Sequence, residues 1–171
     1  MKNISFRNDV LPLKNELYRL ALRITLNSAE AEDIVQDTLI KVWNKRDDWQ
    51  NIDSIEAFSL TICRNISLDR LKKRDNQHES LDEDNTEMPL ATSSTPYEQM
   101  IERDRINLVR QLVNSLPEKQ RSCMQLRDFE GKAYKEIANI LSISEEQVKV
   151  NIFRARQAIK QQYQKLEQYG L

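Results

Sequence analysis

The sequence predicts an all-α chain. Two small helical domains are joined by an acidic flexible linker, and the C-terminal one contains a helix-turn-helix. Three observations predict this. Glycine occurs only twice, at Gly131 and Gly170, beside four prolines, which leaves little room for hairpins or for a Gly-rich phosphate loop. Apolar residues recur at three- and four-residue steps on both sides of a break in the pattern. Charge is segregated at that break: Asp75 to Gln99 holds seven acids and no lysine or arginine. The expected division is residues 1–74, linker 75–99 and residues 100–171.

Removing seven negative charges from a net charge of −1 leaves +6 on the flanks, a distribution that suits a nucleic-acid binder. Other classes are disfavoured. No apolar run approaches the roughly 20 residues of a membrane span, and the N-terminus lacks the apolar core of a signal peptide. The expectation is a cytoplasmic protein without membrane insertion. Cys63 and Cys123 each fall in an apolar-periodic segment and read as buried, reduced thiols. The single histidine, His78, has no cysteine near it, so no metal site and no cofactor are expected. With no nucleophile–base constellation, no catalytic residue is assigned.

The first helix is expected over about Asp9 to Leu26, with Val10, Leu13, Leu17, Leu20, Ala21 and Ile24 in one stripe and Pro12 in the first turn. Asn27-Ser28 ends it and caps a second helix, about Ala29 to Lys45. There Ala31, Ile34, Val35, Thr38 and Val42 face the core, flanked by Leu39 and Trp43. The acids of its first turn suit the helix dipole, which accounts for the charge order. Asp33, Gln36, Asp37 and Ile40 form an outward strip with an exposed apolar member, as partner-binding faces do. A loop, Arg46 to Asp53, carries Trp49. Ser54 then caps a third helix to about Arg74, with Ile55, Phe58, Ile62 and Ile66 on its buried side. The basic end of this helix complements the dipole. Together with Asn65 and Trp49 it also fits a single-strand reader, in which Trp49 would stack on an unpaired base.

After the linker, Ile101, Ile106, Val109, Leu112, Val113 and Leu116 mark an amphipathic helix. Ser115 and Glu118 have the spacing of a capping box before a helix that runs through Cys123, Met124 and Leu126. Gly131 allows the turn into Tyr134–Arg156. There Ile137, Ala138 and Leu141 precede a break, and Val148, Ile152 and Ala155 follow it. Ser144 and Gln147 make a second capping box at the break. Two helices across so short a turn make a helix-turn-helix. Gln147, Lys149, Asn151, Arg154 and Arg156 lie on its outward face, side chains suited to base edges and phosphates. An ordinary helical hairpin with a solvated basic face is the plainer reading of the same residues.

The runs AEDIVQDTLIKVW, RNISLDRLKKR, LPEKQRSCMQLRDFEGKAYKEIANILSIS and VKVNIFRARQAIK, in that order, resemble the bacterial sigma factors of the extracytoplasmic-function (ECF) class. The likeness covers about Leu17 to Arg74 and Asn107 to Lys160. It implies that Asp33, Gln36, Asp37, Ile40 and Trp43 dock on core RNA polymerase. It implies that Trp49, Arg64, Asn65, Asp69, Arg70, Lys72, Lys73 and Arg74 meet a melted, single-stranded −10 element. Gln147, Lys149, Val150, Asn151, Arg154 and Arg156 would read the duplex −35 element. An anti-sigma partner is implied as well, and the acidic linker would thread the polymerase's RNA exit path. Departures stand at Phe58-Ser59 and Leu60-Thr61, where the family has Trp-Leu and Tyr-Arg. Val150 replaces a family serine and offers a thymine methyl an apolar contact instead of a hydroxyl. The alternative is a free-standing helix-turn-helix regulator that dimerises through its N-terminal helices.

Overall fold

A computed structural model describes residues 3–77 and 96–168. Every regular element among them is helical. The N-terminal half holds α1 (Lys14–Thr25), α2 (Ser28–Asn44) and α3 (Ile55–Gln77), and the C-terminal half holds α4 (Pro96–Asn114), α5 (Glu118–Met124), α6 (Tyr134–Leu141) and α7 (Glu145–Gln168). Residues 78–95, most of the expected linker, lie outside the described residues.

Helix α1 begins later than expected. Phe6–Val10 forms a π turn and Leu11–Leu13 a 3-10 turn, so Pro12 sits in a tight lead-in rather than in the first α turn. The predicted stripe is nevertheless inward: Val10, Leu17, Leu20, Ala21 and Ile24 are buried. Leu26 closes α1 in the left-handed region at φ 58°, its amide donating to the Leu22 carbonyl. The Asn27 side chain then accepts from the Glu30 amide at 2.9 Å, capping α2 as the sequence indicated. Of the residues expected to face the core from α2, Ala31, Ile34, Val35, Thr38 and Val42 are buried and Leu39 is partly buried, whereas Trp43, at the edge of that face, stays exposed.

Helix α3 departs from its predicted orientation. Its fully buried row is Ser59, Leu60, Cys63 and Ser67, while Ile55, Phe58, Ile62 and Ile66 are only partly buried. The reason is position. It packs on α1, α2 and α6 at once, while Ile55, Phe58 and Ile62 cover a smaller cluster of Val10, Val42 and Trp49. The two buried serines satisfy their hydroxyls within the helix: Ser59 donates to the Ile55 carbonyl at 2.7 Å and Ser67 to that of Cys63 at 2.8 Å. Both cysteines are free and buried, as expected.

In the C-terminal half, α4 buries Leu112 and Val113, with Leu116 just beyond its end, and leaves Ile101 and Val109 exposed. The capping box expected at Ser115 and Glu118 does not form. The Ser115 hydroxyl donates back to the Leu112 carbonyl, Pro117 is the N-cap of α5 and has no side-chain donor or acceptor, and Glu118 accepts from Ser122. The one at Ser144 and Gln147 does form, with both reciprocal bonds at 3.1 Å. Gly131, at φ 70°, makes the turn before α6. Ser142 does the same between α6 and α7 at φ 56°, where the Ile143 amide reaches the Ala138 carbonyl at 3.1 Å. The two helical domains of the expected all-α fold pack on each other. Buried residues of α1, α2 and α3 join Cys123, Leu126, Ile137, Ile140, Leu141, Val148 and Ile152 in one continuous core.

Candidate nucleic-acid and polymerase interface

Three surfaces carry the predicted side chains. On α2, Asp33, Gln36, Asp37, Ile40 and Trp43 follow at steps of three, one, three and three, and so lie on one outward strip. Ile40 is 58% exposed and Trp43 45%, although both are large apolar residues. Trp43 is held in place by Phe6, edge-on at 5.4 Å, and by the Arg46 guanidinium, 4.6 Å from its ring centroid. A rigid exposed aromatic beside an aliphatic and two carboxylates has the composition of a protein-docking patch.

The second surface is the solvent side of α3. Asn65, Asp69, Lys72 and Lys73 are exposed. Of the four other residues expected there, three are engaged elsewhere and Arg64 is half-buried. Trp49 is 7% exposed, and its indole N–H donates to the Val42 carbonyl at 3.1 Å, so it is a core residue and offers no stacking face. Its place in a polar loop suggested exposure, but Arg46–Asn51 winds into a 3-10 turn that folds the indole under α2. Arg70 binds Asp33 and Asp37 of α2, and Arg74 binds Glu30 and the Thr25 carbonyl at the end of α1. Arg64 is half-buried, with its Nη1 on the Asn65 side-chain oxygen at 3.3 Å.

The third surface is α7. With Val148, Ile152 and Ala155 buried, helical geometry divides the expected residues between two flanks. Gln147, Asn151 and Arg154 form one, and the Asn151 amide donates to the Gln147 carbonyl at 2.8 Å. Lys149 and Arg156 form the other. The Lys149 ammonium lies 5.6 Å from the Tyr134 ring centroid, and Arg156 grips Asp128 with two nitrogens at 3.2 and 2.5 Å. That bond, with the nearby carboxylate charge, raises the Arg156 pKa further above its ordinary value. Between the flanks stand Val150, 43% exposed, and Phe153, 63% exposed. The sequence reading missed Phe153. Its signal was that it falls out of phase with Val148, Ile152 and Ala155.

No metal-ligating cluster exists among the described residues, and no described helix is long and apolar enough to cross a membrane. Residues 10–77 match the family model for sigma-70 region 2, and residues 106–159 that for sigma-70 region 4. The chain is 32% identical over 148 residues to the ECF RNA polymerase sigma factor SigE of Mycolicibacterium smegmatis, covering 85% of this chain and 56% of that one. It is 27% identical to ECF sigma factor SigW of Bacillus subtilis, covering 95% and 90%. It is 28% identical to the RNA polymerase sigma-H factor of Pseudomonas aeruginosa, covering 92% and 85%. Among solved structures, the sigma factor RpoE in complex with the anti-sigma factor NepR from Bartonella quintana shares the fold. Its TM-score is 0.76 at 24% identity, over 91% of this chain and 94% of that one. CnrH in complex with the cytosolic domain of CnrY also shares it, with a TM-score of 0.63 at 20% identity, over 91% and 84%. With both sigma regions matched in order and ECF factors among its relatives, the chain belongs to the sigma-70 family as an RNA polymerase sigma factor of the ECF class.

Proposed function

We propose that this chain is a non-catalytic, cytoplasmic specificity subunit that binds core RNA polymerase and directs initiation at promoters with −10 and −35 elements. The observation that carries the reading is the order of the two matched regions, each with a fitting exposed face. The strip Asp33, Gln36, Asp37, Ile40 and Trp43 docks on core polymerase. Asn65, Asp69, Lys72 and Lys73 meet the separated −10 strand, joined by Arg64. Lysines follow the phosphates, and Asn65 offers a base both a donor and an acceptor. Arg70 and Arg74 serve mainly to fix α3 against α2 and α1.

On α7, Gln147, Asn151 and Arg154 lie toward base edges, and Lys149 and Arg156 toward phosphates. Val150 supplies an apolar contact for a thymine methyl, with Phe153 beside it. One solved neighbour is a sigma factor in complex with an anti-sigma factor, and another, CnrH, is in complex with the cytosolic domain of CnrY, which supports a proteinaceous inhibitor for this chain too. A dimeric free-standing regulator would need a palindrome reader and an N-terminal dimer face, whereas the sigma region 2 match accounts for the N-terminal half.

The test is reconstitution with core polymerase on genomic promoter fragments. Transcripts that start at defined positions only when the protein is present are expected. Failure to bind core polymerase stably would overturn the proposal.

A further inference from the structure

Two amide side chains on one flank of α7 are tied back to the chain by opposite ends. The Gln147 side-chain oxygen accepts from the Ser144 amide at 3.1 Å, completing the cap of the helix, and its nitrogen has no partner among the described residues. One turn later the arrangement is reversed. The Asn151 side-chain nitrogen donates to the Gln147 carbonyl at 2.8 Å, and its oxygen has no partner among the described residues. The chemistry of each bond fixes which end is which. A backbone N–H is met only by the oxygen of an amide, and a backbone carbonyl only by its nitrogen.

Tethering narrows what each side chain recognises. An unrestrained asparagine or glutamine lays both ends along an adenine edge, oxygen on N6 and nitrogen on N7. With one end held on its own helix, each presents a single group. Gln147, exposed at the head of α7, offers a donor, and Asn151, half-buried one turn on, offers an acceptor. In the major groove a donor is met by purine N7, guanine O6 or thymine O4, so cytosine is the base it rejects. An acceptor is met by the amino group of adenine or cytosine, so guanine and thymine are rejected. Four residues of helix rise about 6 Å, more than the roughly 3.4 Å between stacked base pairs, so the two groups fall on different base pairs. Val148 and Ile152, buried in the same two turns, anchor the flank. Freeing the held end of Gln147 would open the capping box, which favours keeping the tether on DNA.

We propose that Gln147 and Asn151 form a donor–acceptor pair that sets the bases accepted at two positions of the −35 element. Opposite Gln147 stands any base but cytosine, and opposite Asn151 an amino-bearing base, adenine or cytosine. The pair rests on the −35 role proposed for α7 above.

The test applies one chemical change, amide to carboxylate, at both positions of the full chain. Q147E keeps the oxygen that caps the helix and removes the donor. N151D keeps the acceptor and removes only the tether. The −35 base pairs of a genomic fragment on which the wild type initiates are randomised, and transcripts made with core polymerase are sequenced. Added negative charge weakens phosphate contact for every sequence alike, so base preference is read rather than yield. Q147E should replace the exclusion of cytosine at one position by its acceptance, a change of about two- to tenfold, the scale of one hydrogen bond. At another position N151D should keep the preference for adenine or cytosine, and N151A should lose it by a similar factor. With adenine placed there, 7-deazaadenine should change nothing, whereas purine without the amino group should lower initiation by that factor. An unchanged preference in Q147E would overturn the pair, as would a loss in N151D as complete as in N151A, or a loss with 7-deazaadenine. Failure of the wild type to bind core polymerase would instead sink the sigma-factor proposal, and the same variants would then be judged on randomised duplex DNA selected by the full chain alone.

Discussion

Arg70 of α3 reaches across to α2 and holds Asp33 and Asp37 with separate nitrogens, at 3.1 and 2.8 Å. One guanidinium thereby joins the helix proposed to melt DNA to the strip proposed to bind polymerase. All three side chains are substantially solvated, so the stabilisation is modest. Arg70→Ala should cost about 0.5–1 kcal/mol in urea denaturation, and a double-mutant cycle with Asp37→Asn should show coupling below about 1 kcal/mol. Because the carboxylates survive in Arg70→Ala, core binding should persist there and weaken in Asp33→Ala/Asp37→Ala.

The two tryptophans separate stability from binding. Trp49 fills the small core with Val10 and Val42, so Trp49→Ala should cost about 3–5 kcal/mol. Trp43 is half-exposed, and Trp43→Ala should cost much less while weakening the polymerase complex. Equal destabilisation of the two variants would contradict this division.

The turn of the helix-turn-helix offers a gain and a loss. Ser142 holds φ 56°, a conformation that disfavours side chains with a Cβ. Ser142→Gly should stabilise the C-terminal half by about 0.5–1 kcal/mol. Ser144→Ala removes the acceptor for the Gln147 amide and should destabilise it by about 1 kcal/mol. Thermal unfolding checks both signs.

How far the sequence could be read divides along physical lines. The stripes of α1 and α2, the caps at Asn27, Ser54 and Ser144 and the turn at Gly131 follow from local periodicity and local hydrogen bonding, and the structure has them. The reading failed where tertiary context decides. The buried side of α3 was expected at Ile55, Phe58, Ile62 and Ile66, yet Ser59 and Ser67 are the buried ones, each hiding its hydroxyl on its own helix. Trp49 looked exposed because its neighbours are charged. The Ser115–Glu118 spacing matched a capping box, but Pro117 has no amide hydrogen and Ser115 turns back to α4. Arg121 and Lys132 gave no sign that they would meet partners about a hundred residues earlier in the chain, so the packing of the two domains on each other was invisible from local patterns.

Burial pushes the thiols of Cys63 and Cys123 up to about 12. A raised folded pKa means that the neutral thiol stabilises the fold fully below the unfolded value of about 8.5. That contribution fades as pH climbs from there toward 12, by at most about 1.4 kcal/mol per thiol per pH unit. Denaturation at pH 8 and pH 10 should show a decline that is shallower in a Cys63→Ala/Cys123→Ala variant. At neutral pH neither thiol should react with a disulfide reagent until the chain unfolds.

The most direct measurement compares wild type with Arg154→Ala for core-polymerase binding and promoter-specific initiation on the same fragments. Loss of one base-directed bidentate contact costs about 1–3 kcal/mol, so initiation from the cognate promoter should fall about fivefold to 150-fold while core binding stays at the wild-type level. Loss of core binding in Arg154→Ala, or no core binding by the wild type, would contradict the assignment of polymerase docking to α2 and −35 reading to α7.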